Sequence, residues 1–117
     1  MSADRAGRRA ERLAAFWLRL FGWRILARRY STPVGEIDLV ARRGEVLAFV
    51  EVKARRSRAD GLDALRPKQR RRWRRAAEYW LSGHRVDPAT VLRFDLVVIV
   101  PWRLPLHLAN VEYDAPY

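Results

Sequence analysis

The stretch that most limits how this chain can fold runs from Gly35 to Lys53, GEIDLVARRGEVLAFVEVK. Residues alternate with a period of two on either side of Arg43-Gly44, the pattern of two strands joined by a tight turn. In the first strand Glu36, Asp38 and Val40 share one face, and Ile37, Leu39 and Ala41 share the other. In the second, Leu47, Phe49, Glu51 and Lys53 share a face, with Val46, Ala48, Val50 and Val52 on its reverse. With Arg43 and Gly44 as a two-residue loop, Arg42 pairs with Glu45, Glu36 with Glu51, and Asp38 with Phe49. Asp38 then lies diagonal to Glu51, about 7–8 Å away. Three carboxylates and the Lys53 ammonium converge on one patch. A slip of one residue would put Asp38 and Glu51 on opposite faces.

Two carboxylates from neighbouring strands, with the backbone carbonyl of Val52 between Glu51 and Lys53, make a hard-oxygen donor set suited to Mg²⁺ or Mn²⁺. Such an ion polarises a phosphodiester and favours hydroxide from its bound water, and Lys53 is placed to orient that water or to stabilise charge on the phosphate. The bland meaning of Glu51-Val52-Lys53 is a solvated strand face with weak ion pairs. Asp38 across the hairpin and the basic surroundings weigh against it.

At 117 residues the chain is read as one domain, with room for one modest core. Its net charge of +11 calls for a polyanionic partner, nucleic acid or an anionic membrane surface, unless it reflects only an arginine-rich proteome. Of 24 basic residues only Lys53 and Lys68 are lysine. A chain so free with arginine that places lysine beside Glu51 suggests a need for an ammonium there. No run of about 18 apolar residues exists to insert in a membrane. The absence of cysteine excludes disulfides, zinc–thiolate sites and a cysteine nucleophile. No signal peptide is recognisable at LAAFWL, and a cytoplasmic location is the expectation.

The rest of the chain supplies helices around this hairpin. Leu13, Ala14, Trp17, Leu20 and Phe21 recur at helical spacing, so a helix over about 3–21 is expected to pack that stripe on the core, with Ser2 or Asp4 as its cap. Glu11 on it reads either as a solvated charge among Arg8, Arg9 and Arg12 or as a further acid for the site. Residues 23–30 form a first strand. Residues 54–61 read as a basic, mobile loop. A helix from Pro67 to about Ser82 buries Trp73, Ala76, Ala77, Trp80 and Leu81 and turns Gln69 toward the sheet. Residues 92–100 form the most apolar strand, in which Asp95 needs an arginine partner. His84 and His107 read as ordinary loop or edge histidines. The tail, 101–117, is an edge strand or a docked segment. Arg55, Arg56 and Arg58 of the loop, with Lys68, Arg70, Arg71, Arg72, Arg74 and Arg75 of the helix, are the expected nucleic-acid contacts. The order implies an α/β or α+β fold with a mixed sheet between helices.

GEIDLVARRGEVLAFVEVKAR, followed by RPKQRRRWRRAAEYW and RFDLVVIV, resembles the YraN-like family of predicted nucleases in the restriction-endonuclease-like, PD-(D/E)xK superfamily, distantly similar to archaeal Holliday junction resolvases. The resemblance covers about residues 7–100. It implies a core of helix, three-stranded meander, helix and strand. It implies Asp38 and Glu51 as metal ligands, Lys53 as catalytic lysine, Glu11 as an acidic contribution, and Gln69 as positioning water or metal. Glu36 matches the pattern without a clear role. Ala10 stands where the family usually has glycine, and Ile37-Asp38 replaces the superfamily's Pro-Asp, as is usual in this branch. The resulting expectation is a metal-dependent endonuclease acting on DNA, in preference to RNA, and on branched or recombination-related DNA within that class. A homodimer is compatible with it. A nuclease-like fold serving as a non-catalytic adaptor is the alternative, and membrane-surface binding through the helix around Trp73 and Trp80 is the weakest of the three.

Overall fold

The computed structural model describes residues 3–112. Ser2, the side chain of Asp4 and the tail beyond Glu112 lie outside the described residues, and with them the expected cap of the first helix.

In chain order come α1 (Ala3–Leu20), β1 (Arg24–Thr32), β2 (Gly35–Arg43), β3 (Val46–Ala54), α2 (Arg58–Asp63), α3 (Pro67–Gly83), β4 (Val91–Ile99) and β5 (Leu106–Leu108). The strands form one open five-stranded sheet in sequence order. β3 and β4 run parallel and every other neighbouring pair runs antiparallel, so this is an α/β fold with a mixed sheet flanked by helices. Parallel neighbours need a crossover, and the segment holding α2 and α3 provides it. Among the described residues no helix is long and apolar enough to cross a membrane.

Each face of the sheet carries its own core. Trp73, Ala76, Ala77 and Trp80 of α3 pack on Val40, Leu47, Phe49, Leu96 and Val98, as the apolar stripe of α3 implies. Pro67 opens that helix at its first turn, where the missing N–H costs nothing, and Gly83 is its last residue. The opposite face packs Ala10, Ala14, Ala15 and Leu18 of α1 on Leu39, Ala48, Val50 and Val97.

The expected facing of α1 is therefore corrected. Its core stripe consists of small residues, while Leu13, Phe16, Leu20 and Phe21 are 51–61% exposed. Alanines let the helix lie close to the sheet; the bulky side chains would hold it away, and they occupy the outer side.

The hairpin register is corrected by two residues. Arg43 pairs with Val46, which makes Gly44-Glu45 the loop. Gly44 takes a φ of +59° at the first loop position, where glycine is unstrained and where one of the favoured two-residue turns requires it. A shift of two preserves the facing along the paired ladder, but the expected facing of Ile37 is corrected: it packs in the α3-side core with Val40, while Leu39 and Ala41 pack on the α1 side.

The segment expected to be a mobile loop contains α2. The Ser57 side chain accepts a hydrogen bond from the Asp60 N–H to cap it, and Gly61 lies flat against Val98, where a Cβ would come 2.6 Å from a methyl carbon. Among the described residues of the tail, only 106–108 form an edge strand. The following turn is tied down by the Val111 N–H, which donates to the Phe94 carbonyl.

Candidate functional site

The β2–β3 ladder runs from Arg43–Val46 to Leu39–Val50. Asp38 and Glu51 lie just past its last pair. There the ladder gives way to a side-chain contact, in which the Val52 N–H donates to Asp38 Oδ2 at 2.7 Å. The Val52 carbonyl lies on the same, β2-facing side of its strand as that N–H. Lys53 Nζ is 3.0 Å from Glu51 Oε1, and Gln69 Nε2, from the first turn of α3, donates to the same oxygen at 3.2 Å. Four of the expected site residues, Asp38, Glu51, Lys53 and Gln69, thus meet at one end of the sheet. Three of them, Asp38, Glu51 and Gln69, border a cavity of about 250 Å³ whose wall also includes Gly35, Glu36, Arg72 and Trp73.

Burial pushes the Glu51 carboxyl up to about 7, and the adjacent Asp38 charge pushes in the same direction while Lys53 opposes it. The Asp38 carboxyl is also raised, chiefly by burial, against the lowering effect of the Val52 N–H and Lys53. Two carboxylates forced together with one ammonium form a pocket short of positive charge. Mg²⁺ is commonly held by one or two carboxylates with the remaining positions filled by water and phosphate, so Asp38, Glu51 and the Val52 carbonyl fit such an ion. Among the described residues, no group of three or more His, Cys, Asp or Glu side chains is arranged to hold a metal.

Glu11 is not a member of that pair. It is only 9% exposed, so it is not a solvated helix charge either; its carboxylate pairs across to Arg29 of β1 at 3.4 Å. Its pKa is raised by burial first and by the Asp38 charge second, which places it within electrostatic reach of the pair. Glu36 is exposed and accepts a 2.8 Å hydrogen bond from the Ser31 hydroxyl.

The basic residues divide into groups. Arg72 borders the carboxylate cavity, and Arg71 and Arg75 are exposed on the same helix, as is Lys68 at its start. Arg55 and Arg56 border a separate, larger cavity of about 770 Å³ between the ends of β3 and β4 and α2, away from the carboxylates; Arg58 is exposed on α2. Arg70 and Arg74 turn to the protein's own C-terminal segment, with Arg70 Nη1 2.7 Å and Arg74 Nη1 3.6 Å from Glu112. Trp73, which sequence periodicity assigns only to the core, also walls the cavity, and its buried indole N–H has no hydrogen-bond partner among the described residues.

The profile described as "Uncharacterised protein family UPF0102" matches residues 10–99. Among curated proteins, the chain is 50% identical to a UPF0102 protein of Mesorhizobium japonicum over 95% of this chain and 89% of that one. It is 53% identical to a UPF0102 protein of Nitrobacter winogradskyi over 98% and 97% of the two chains, and 53% identical to one of Caulobacter vibrioides over 93% and 87%. These names state no activity.

Proposed function

We propose that this chain, which belongs to the UPF0102 family, is a divalent-metal-dependent endonuclease of the restriction-endonuclease-like type that hydrolyses phosphodiester bonds in DNA. The observation that carries the reading is the Asp38–Glu51 pair, buried side by side with Lys53 and Gln69 on one of its oxygens. A purely structural pair of this kind is costly, because burial raises both carboxyls, the Asp38 charge raises Glu51 further, and the ammonium compensates only one charge. A divalent cation bound by Asp38, Glu51 and the Val52 carbonyl would remove that repulsion and supply Lewis acidity toward a phosphate oxygen.

The surrounding residues have definable tasks. The Val52 N–H and Gln69 fix the directions of the Asp38 and Glu51 oxygens, so the donor set is formed before substrate arrives. Lys53 offers an ammonium at the reacting phosphate, where it stabilises developing negative charge. Arg72 at the cavity wall attracts and orients the phosphodiester backbone.

The test is cleavage of labelled single-stranded, duplex, flap and four-way-junction DNA with Mg²⁺, Mn²⁺ or EDTA, by the native protein and by Glu51→Gln. Metal-dependent cutting lost in the variant supports the reading. Binding without cutting under any metal would replace it with a non-catalytic DNA-binding role.

A further inference from the structure

Opposite the α3 arginines lies a second basic feature, made by parts of the chain far apart in sequence. Between α1 and β1 is a cleft of about 650 Å³ lined by Arg5, Arg8, Arg9 and Arg12 of the helix, Arg28 and Arg29 of the strand, and Glu11. Among the described residues, six guanidinium groups thus share a cleft with a single carboxylate. Such a concentration of one sign sets up a strong positive potential, and guanidinium forks match phosphate oxygens in geometry.

Its position relative to the carboxylates gives it meaning. α1 covers one face of the sheet and α3 the other. The carboxylate cavity is walled by Gln69, Arg72 and Trp73 and so opens on the α3 side, where Gly35 sits so close to α3 that a Cβ would be 3.0 Å from the Arg72 carbonyl oxygen. Glu11, in the wall of the arginine cleft, belongs to α1, which packs on the opposite face with Leu39, the β2 residue next to Asp38. The Asp38–Glu51 pair therefore lies between two arginine banks on opposite faces of one sheet. A lone strand follows one bank. Two banks astride the acids match two phosphate tracks.

We propose that the α1–β1 cleft is a second phosphate-backbone site, and that the ligand is a nucleic acid with two backbones, duplex or branched, rather than a single strand or a mononucleotide. This rests on the proposed nuclease reading for its ligand class but not for any catalytic step.

The test measures binding in EDTA, without turnover, as a function of salt. Probes are a duplex and a single strand of the same sequence. Arg12→Gln/Arg28→Gln removes charge from the cleft, and Arg71→Gln/Arg75→Gln removes it from α3. All four side chains are exposed, and Arg9→Gln/Arg12→Gln, confined to one helix, repeats the cleft measurement should the first pair disturb β1. For the duplex, each pair is expected to lower the slope of log affinity against log salt by about 2, and the four changes together by about 4. For the single strand, the combined loss is expected to be no more than half of that. An unchanged duplex slope in both cleft variants overturns the cleft alone. A single strand that loses as much as the duplex overturns the two-backbone ligand. Failure of the native protein to bind either probe overturns the nuclease reading and the cleft together. A lowered slope alongside cleavage unaltered by Glu51→Gln removes the proposed chemistry and leaves the cleft standing.

Discussion

Two buried acidic centres lie in the same sheet and differ in how their charge is met. Asp95 on β4 is fully buried, yet every direction around it is answered: Arg93 contributes a fork at 3.2 and 2.7 Å, His107 Nε2 is 2.8 Å away, and the Asn110 N–H donates at 2.9 Å. These partners outweigh the raising effect of burial and hold the Asp95 carboxyl below its ordinary value. At Asp38 and Glu51 the balance runs the other way: burial wins at both, helped at Glu51 by the Asp38 charge, and both carboxyls are raised. A carboxylate kept for architecture is surrounded until its charge is stable. A pair left short of positive charge is what the proposed metal-dependent reading requires.

Substitutions separate the two centres. Glu51→Gln is expected to lower metal-dependent cleavage by about 10²–10³-fold or more while leaving the fold intact, read by nicking assay and circular dichroism. Wild-type rates in that variant would dissolve the contrast. Asp95→Asn should act in the opposite sense, costing about 3 kcal/mol in denaturant unfolding because Arg93 and His107 lose their anchor. Mg²⁺ should stabilise the native protein against heat, by about 2.7 kcal/mol at a hundredfold excess over its dissociation constant, and Asp38→Asn should abolish that gain. Undiminished stabilisation in Asp38→Asn would show that the ion binds elsewhere.

The pH response carries the same contrast with opposite signs. Glu51 has its folded pKa raised from 4.5 to about 7, so the folded state holds a proton that the unfolded chain releases. Below 4.5 neither state is ionised there and no penalty arises; the penalty grows as pH rises to about 7 and is constant above it. Without metal, the stability difference between native protein and Glu51→Gln should therefore shift against the native protein over that window, measured by melting at successive pH values. Asp95, with its pKa lowered from 3.8, stabilises above that value and loses its contribution as pH falls below it. A difference curve that is flat between pH 4.5 and 7 would remove the asymmetry. The smallest expected effect is for Phe16→Ser with Leu20→Ser, within about 0.5 kcal/mol of native stability, because those side chains face outward.

Much of this was legible in the sequence, for identifiable reasons. Period-two alternation placed Asp38, Glu51 and Lys53 on one face, and helical spacing placed Trp73, Ala76, Ala77 and Trp80 in the core with Gln69 turned inward. The exact register was not legible, because Arg43-Gly44 and Gly44-Glu45 are both credible loops and the choice lies in the φ of one glycine. The facing of α1 was misread because hydrophobicity groups Leu13, Leu20 and Phe21 with Ala14 as core residues, whereas close packing on the sheet keeps Ala14 with Ala10 and Ala15 and leaves the larger three outside. An arginine partner for Asp95 followed from burial, but His107 reaches it only through the β4–β5 pairing, which no local pattern announces. The Glu11–Arg29 pair is tertiary in the same way. So is the arginine cleft, whose two halves are 16 or more positions apart in the chain.

The three-residue strand β5 has a consequence out of proportion to its length. It pairs with Leu96, Val97 and Val98, the most apolar part of β4. The adjoining turn is moored by Asn110 to Asp95, and Glu112 by Arg70. Take that segment away and β4 becomes an open margin of unpaired amides and carbonyls flanked by valine and leucine, a template on which another copy's strand can grow. Residues 106–112 act as a selvedge for the sheet: they finish its border so that it does not knit onto its neighbours. Chains ending before Leu106 should come out of the cell as aggregate even where their hairpin and helices are intact.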